Sequence, residues 1–231
     1  MLLKSIALLG LPGVPNLIFG KNSKKYFSMD IFKEVLEEKK YQIDHEETFY
    51  WPYEMPLKIK SRNLISLAYY YFAIKNPKSE YSQKILDETF HRIKKLSKKH
   101  NQIFIYAHSA GTIIIQRLLL DPRLNEIHVK IFPVLVAVPN QIFYGSKILN
   151  RFFGNILMAK DVKQIKTQTV MITGAYDILS SPNVDGSKEN LNIKCFTSLR
   201  PRTAFEYIPG IQHGALMGKR YKDVYEKILT S

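Results

Sequence analysis

The run Gln102-Ile103-Phe104-Ile105-Tyr106-Ala107 is apolar without alternation, and Ala110 to Leu120 directly after it has helical character, ending before Asp121-Pro122. A β-prone segment with no polar face must be covered on both sides. That is the situation of an inner strand in a parallel sheet layered by helices. The rest of the chain repeats the alternation. The apolar stretch Met1 to Leu9 reads as a short buried strand entering the tight loop Gly10-Leu11-Pro12-Gly13-Val14-Pro15. Ser28 is placed to cap a helix carrying Asp30 in its first turn and Ile31, Phe32, Val35 and Leu36 on one face. A strand is expected near Tyr41 to Phe49, and helices near Asn63 to Ile74 and Ser79 to Lys98.

Further strands are expected within Val129 to Val138, made irregular or split by Pro133, at Thr167 to Thr173, and at Ala204 to Ile208. Tyr221 to Leu229 reads as a closing helix. These elements predict an α/β fold with one mostly parallel sheet and helices on both faces. At 231 residues, with no internal repeat or low-complexity linker, a single domain over 1–231 is expected. One cysteine, Cys195, excludes an internal disulfide framework and a cysteine-based zinc cluster; no metal or other cofactor is expected.

The chemistry concentrates at the turn after the apolar strand, Tyr106-Ala107-His108-Ser109-Ala110-Gly111-Thr112. It has the form of a G-x-S-x-G nucleophile elbow with Ala107 in place of the first glycine. A strand bending sharply into a helix brings the positions two before and two after the serine against neighbouring backbone, so both must be small. The turn exposes the hydroxyl beyond the sheet, in front of free N–H groups at a helix N-terminus. A serine nucleophile needs a base, and the base a carboxylate. His213, in the Gly-flanked loop Pro209-Gly210-Ile211-Gln212-His213-Gly214, is the expected base. His128 reads as a surface or edge residue, and His108 should point into the fold. Asp177, just past a strand and after Gly174, is the expected acid, ahead of Asp185 and Asp161. Backbone N–H groups of Ala110 and Leu11 are the expected oxyanion hole, because Pro12 has none to give.

These residues together resemble the α/β-hydrolases over nearly the whole chain. Leu9-Gly10-Leu11-Pro12-Gly13 is similar to the family's His-Gly-x-Pro-Gly oxyanion loop, with Leu9 where histidine is usual. The Ala-His-Ser-x-Gly elbow is similar to that of small bacterial lipases. The resemblance implies an α/β-hydrolase fold and a serine hydrolase acting on a carboxylic ester or a thioester. It also implies Leu11 and Ala110 as the oxyanion donors. Acyl transfer to another acceptor, or a catalytically silent ligand-binding protein of the same fold, are the alternatives.

An insertion at 140–166 is expected to form a small lid. Ile148, Leu149, Phe152, Phe153, Ile156 and Leu157 make an apolar stripe beside Lys147, Arg151 and Lys160. The aromatics from Phe49 to Tyr53 are candidates to line the acyl pocket. The net charge of +14 agrees with peripheral contact with anionic membrane lipid, while no nucleic-acid motif accompanies it. Met1 to Leu9 has the outline of a signal peptide, but Lys4 interrupts its apolar run and no small-x-small cleavage site follows. A cytoplasmic location is therefore expected; the oligomeric state is open.

Overall fold

The structure is a computed structural model that describes residues 4–13, 27–50, 76–138, 163–177, 190–208 and 211–230, apart from the side chains of 197 and 198. Its centre is a six-stranded, all-parallel sheet. The strands are β1 (Lys4–Leu11), β2 (Tyr41–Thr48), β3 (Gln102–His108), β4 (Lys130–Val136), β5 (Thr169–Gly174) and β6 (Ile193–Leu199). Their order across the sheet is β2-β1-β3-β4-β5-β6. The chain winds outward from β1 to β2, then returns to β3 on the other side of β1. The carboxyl ends of β1 and β3 therefore flank a topological switch point, where a parallel sheet opens a crevice for ligands.

The period of two along β3 explains why its sequence shows no polar face. Ile103, Ile105 and Ala107 enter one core layer, with Ala7, Leu9 and Leu11 of β1. That layer is closed by α2 (Glu80–Ser97), through Ile85, Phe90 and Ile93, and by α3 (Ala110–Leu118), through Ile113 and Ile114. Phe104 and Tyr106 enter the opposite layer, with Ile6 and Leu8. There the cover is α1 (Asp30–Glu38) and the C-terminal helix α5 (Lys222–Thr230); a short helix α4 (Ile211–Ala215) precedes α5. Both faces are dry, as the unbroken apolar run requires. Edge strand β2 instead alternates half-buried and exposed residues, with Gln42, Asp44 and Glu46 outward, which suits an edge that must not recruit further strands.

Local signals explain most boundaries. Ser79 Oγ accepts the Ser82 backbone N–H at 3.1 Å and caps α2. Ser28 Oγ accepts the Asp30 N–H at 3.1 Å, with Met29 as the residue flanking α1. Two expectations fail. Pro133 neither splits β4 nor breaks its register with β3: it pairs with Ile105, and the ladder to β5 begins only at Val134, past the proline.

The expected strand at Ala204 to Ile208 is a 3₁₀ turn, Ala204–Tyr207, and the last strand is β6, upstream. The reason lies in Glu206. Its buried carboxylate accepts from the Arg202 N–H (3.0 Å), the Thr203 hydroxyl (3.2 Å) and the Tyr221 hydroxyl (2.5 Å), while Phe205 and Tyr207 face outward. The strand pattern there was inverted: the acid is inside and the aromatics outside.

The helix expected at Asn63 to Ile74 and the apolar stripe at Ile148 to Leu157 lie outside the described residues. Of the expected lid, residues 163–166 belong to the approach to β5. No described helix is long and apolar enough to cross a membrane.

Phe32 of α1 is fully buried and packs against the rings of Phe104, Tyr106 and Tyr225 at 5.2–5.9 Å between centroids. Phe32→Ala should destabilise the protein by about 3–5 kcal/mol, read as a lowered urea midpoint with little change in slope.

Candidate active site

The elbow follows β3 directly. Ser109 has φ 52° and ψ −125°, a conformation that an L-residue holds only when its surroundings enforce it. The enforcement is visible on both sides. The Ser109 N–H donates to the Val136 carbonyl at 2.9 Å, at the end of β4. The Ser109 carbonyl accepts from the Thr112 N–H at 2.9 Å and the Thr112 hydroxyl at 2.7 Å, starting α3. Gly111 has the role expected of it. A Cβ on Gly111 would stand 2.4 Å from the Leu11 carbonyl oxygen and 2.9 Å from that of Pro12. Ala107 lies between Leu11 of β1 and Leu135 of β4.

The loop after β1 is pressed onto this turn. A Cβ on Gly13 would stand 2.5 Å from Ser109 Cβ, 3.0 Å from the His108 carbonyl and 3.1 Å from Ser109 Oγ. Leu11 and Ala110, the expected oxyanion donors, thus belong to two backbone segments in van der Waals contact beside the serine. Ala110 opens α3, in the turn whose N–H groups lack intrahelical partners.

Asp177 lies three residues beyond β5, and His213 lies in α4. The two are brought together: His213 Nδ1–H donates to Asp177 Oδ1 at 2.9 Å and Oδ2 at 2.8 Å. Both residues are buried, and the Asp177 side chain is wholly so. With Nδ1 held by the carboxylate, Nε2 is the nitrogen left for proton exchange. Among the described residues no hydrogen bond joins Ser109 Oγ to His213; in ligand-free sites this contact is commonly long and tightens on substrate.

His108 does point inward. Its ring lies 4.9 Å from the His213 ring, and its Nε2–H donates to the His213 carbonyl at 2.9 Å. Burial, then repulsion from His213, push its pKa down to about 3, so it is a neutral donor and not a base. His128 is exposed. Asp161, Asp185 and the aromatics Trp51 to Tyr53 lie outside the described residues, whereas Phe49 is a core residue whose ring carries the Arg92 guanidinium at 4.3 Å. Among the described residues no cluster of His, Cys, Asp and Glu could hold a metal ion.

The sequence reading singled out neither Gln212 nor Glu206. In the structure Gly174 ends β5 and its lack of a side chain leaves room for Gln212: a Cβ there would stand 2.4 Å from both Cδ and Oε1 of that residue.

The sheet order, the elbow and the helices on both faces define the α/β-hydrolase fold, and comparison with solved structures agrees. The chain is similar to an esterase from Pyrococcus furiosus (TM-score 0.53, 13% identity, covering 98% of this chain and 83% of that one). It is similar to a Xanthomonas campestris structure assigned to the alpha/beta superfamily of hydrolases (TM-score 0.51, 10% identity, 99% of each chain). A third is the thioesterase domain from the curacin biosynthetic pathway (TM-score 0.51, 13% identity, 97% of this chain and 91% of that one). No family model and no curated protein matches the sequence.

Because His108 is held neutral, its linkage to stability has a definite sign. Its folded pKa lies below the ordinary 6.5, so the unfolded chain takes up the proton first and stability falls as pH drops below 6.5. From pH 7 to pH 5 this one group should cost about 2 kcal/mol. His108→Asn should show a correspondingly shallower loss across that range, measured by urea unfolding at each pH.

Proposed function

We propose that the protein is a serine hydrolase of carboxylic esters, with Ser109 as nucleophile, His213 as general base and Asp177 as its carboxylate partner. The observations that carry this reading are the buried Asp177–His213 pair, at 2.8 and 2.9 Å, and a serine held at positive φ in a strand-to-helix turn. A core serine that merely capped a helix would need neither, and Ser109 makes no side-chain cap on α3.

In this mechanism His213 Nε2 takes the Ser109 proton as Oγ attacks the ester carbonyl. Asp177 fixes the tautomer and stabilises the imidazolium that forms. Negative charge develops on the carbonyl oxygen and is met by the N–H groups of Leu11 and Ala110, each such donor contributing on the order of 10²–10³ in rate. The imidazolium then protonates the leaving alcohol. Water, deprotonated by His213, releases the acid from the acyl-enzyme and restores Ser109. His108, neutral and committed to the His213 carbonyl, takes no part in the proton transfers.

The same groups would cleave a thioester by the same steps with a thiol leaving. A panel of p-nitrophenyl esters and acyl-CoA thioesters of graded chain length separates the two substrate classes. Ser109→Ala should abolish turnover and labelling by a fluorophosphonate while leaving the thermal midpoint near that of the parent. Turnover retained in that variant would exclude Ser109 as the nucleophile; a parent that is never labelled would favour a silent binding protein.

A further inference from the structure

Gln212 is fully buried, yet every polar atom of its side chain is engaged, and its partners lie on three separate elements. Its Oε1 accepts the Tyr176 backbone N–H at 2.8 Å, in the turn that carries Asp177. Its Nε2 donates to the Leu199 carbonyl at the end of β6 at 2.6 Å, and to the Tyr221 hydroxyl at 3.0 Å. Tyr221 in turn donates to the buried Glu206 carboxylate at 2.5 Å. The partners are a backbone N–H on one side and a carbonyl on the other, so the amide has only one satisfied orientation. A buried amide costs a protein energy unless it is fully bonded, and this one is bonded directly between the neighbours of the acid and the base.

Resting on the hydrolase reading above, we propose that Gln212 is a positioning residue for the reaction: it locks the turn bearing Asp177 to the helix bearing His213 and so sets the separation of that pair. Three observations converge on it. Gln212 precedes His213 by one residue, and Tyr176 precedes Asp177 by one, so the bond between them ties the backbones immediately before the two partners. Gly174 leaves the space in which the amide sits, with 2.4 Å to a hypothetical Cβ. The Tyr221–Glu206 pair, itself fixed by the Arg202 N–H and Thr203 hydroxyl, anchors the far end of the amide in the turn that replaces the expected strand. His213 is thereby held by the Asp177 carboxylate on its ring, by His108 on its carbonyl and by Gln212 from the preceding residue. Among the described residues the titratable groups facing the His213 ring are Asp177, from the turn after β5, and the neutral His108, from the end of β3.

Two variants disturb the clamp without touching the reacting groups. Gln212→Met keeps length and loses all the hydrogen bonds; Gly174→Ala keeps the amide and drives it out of place. Each should lower kcat for a short p-nitrophenyl ester by about 10–100-fold, with KM little changed. The downfield proton resonance of His213 Nδ1–H should broaden or move upfield in both. Tyr221→Phe, which removes one hydroxyl, carries the same readouts if Gln212→Met does not fold. A kcat and an Nδ1–H resonance identical to the parent's, in variants that have merely lost thermal stability, would overturn the proposal. The resonance reports on the Asp177–His213 bond whether or not esters are hydrolysed, so a parent inactive on every ester would sink the hydrolase reading and leave the positioning role to be judged by the spectrum.

Discussion

The contact on which the site depends is backbone against backbone: the carbonyls of Leu11 and Pro12 against Gly111, and Gly13 against Ser109. Two chain segments meet at less than the width of a side chain, and that meeting holds Ser109 at φ 52°. Such a conformation costs on the order of 1–3 kcal/mol and persists only where the surroundings over-determine it. Here β3 supplies the support. It is hydrogen-bonded on both sides, to β1 and β4, and its side chains are buried in both core layers, so the strand cannot relax to relieve the turn at its end.

The electrostatics of the site follow from the same burial. A carboxylate without solvent is costly unless paired and hydrogen-bonded; Asp177 meets this through His213, which is in turn oriented by it. Beside them His108 solves the opposite problem by staying uncharged, its pKa pushed down to about 3 by burial and by its neighbour. Two histidines 4.9 Å apart between ring centres can coexist in so dry a place because only one of them has a carboxylate. That asymmetry separates the candidate base from the structural histidine, although the two rings are neighbours.

Much of this was legible in the sequence because it is written in residue sizes at fixed offsets. Small residues around Ser109, glycines after β1, and a carboxylate placed just past β5 are requirements of local geometry, and local geometry leaves local traces. Gln212 and Glu206 left none. An amide and a carboxylate among loop residues look like surface groups, and what buries them is contact with Leu199, Tyr221 and Tyr176, 13, 15 and 36 residues away along the chain. Strand β6 was missed for a related reason: Lys194, Thr197 and Ser198 interrupt its apolar pattern, as an edge strand permits, whereas the better-patterned Ala204 to Ile208 is turned inside out by Glu206.

The sequence by itself determined a two-sided parallel sheet and the place of the elbow in it, because periodicity and steric size act over a few residues. Only the tertiary structure decided which histidine faces a carboxylate, what Gly174 makes room for, and how the acid and base segments are fastened together. Those depend on which side chains lose their water to one another, and that is settled when distant segments pack.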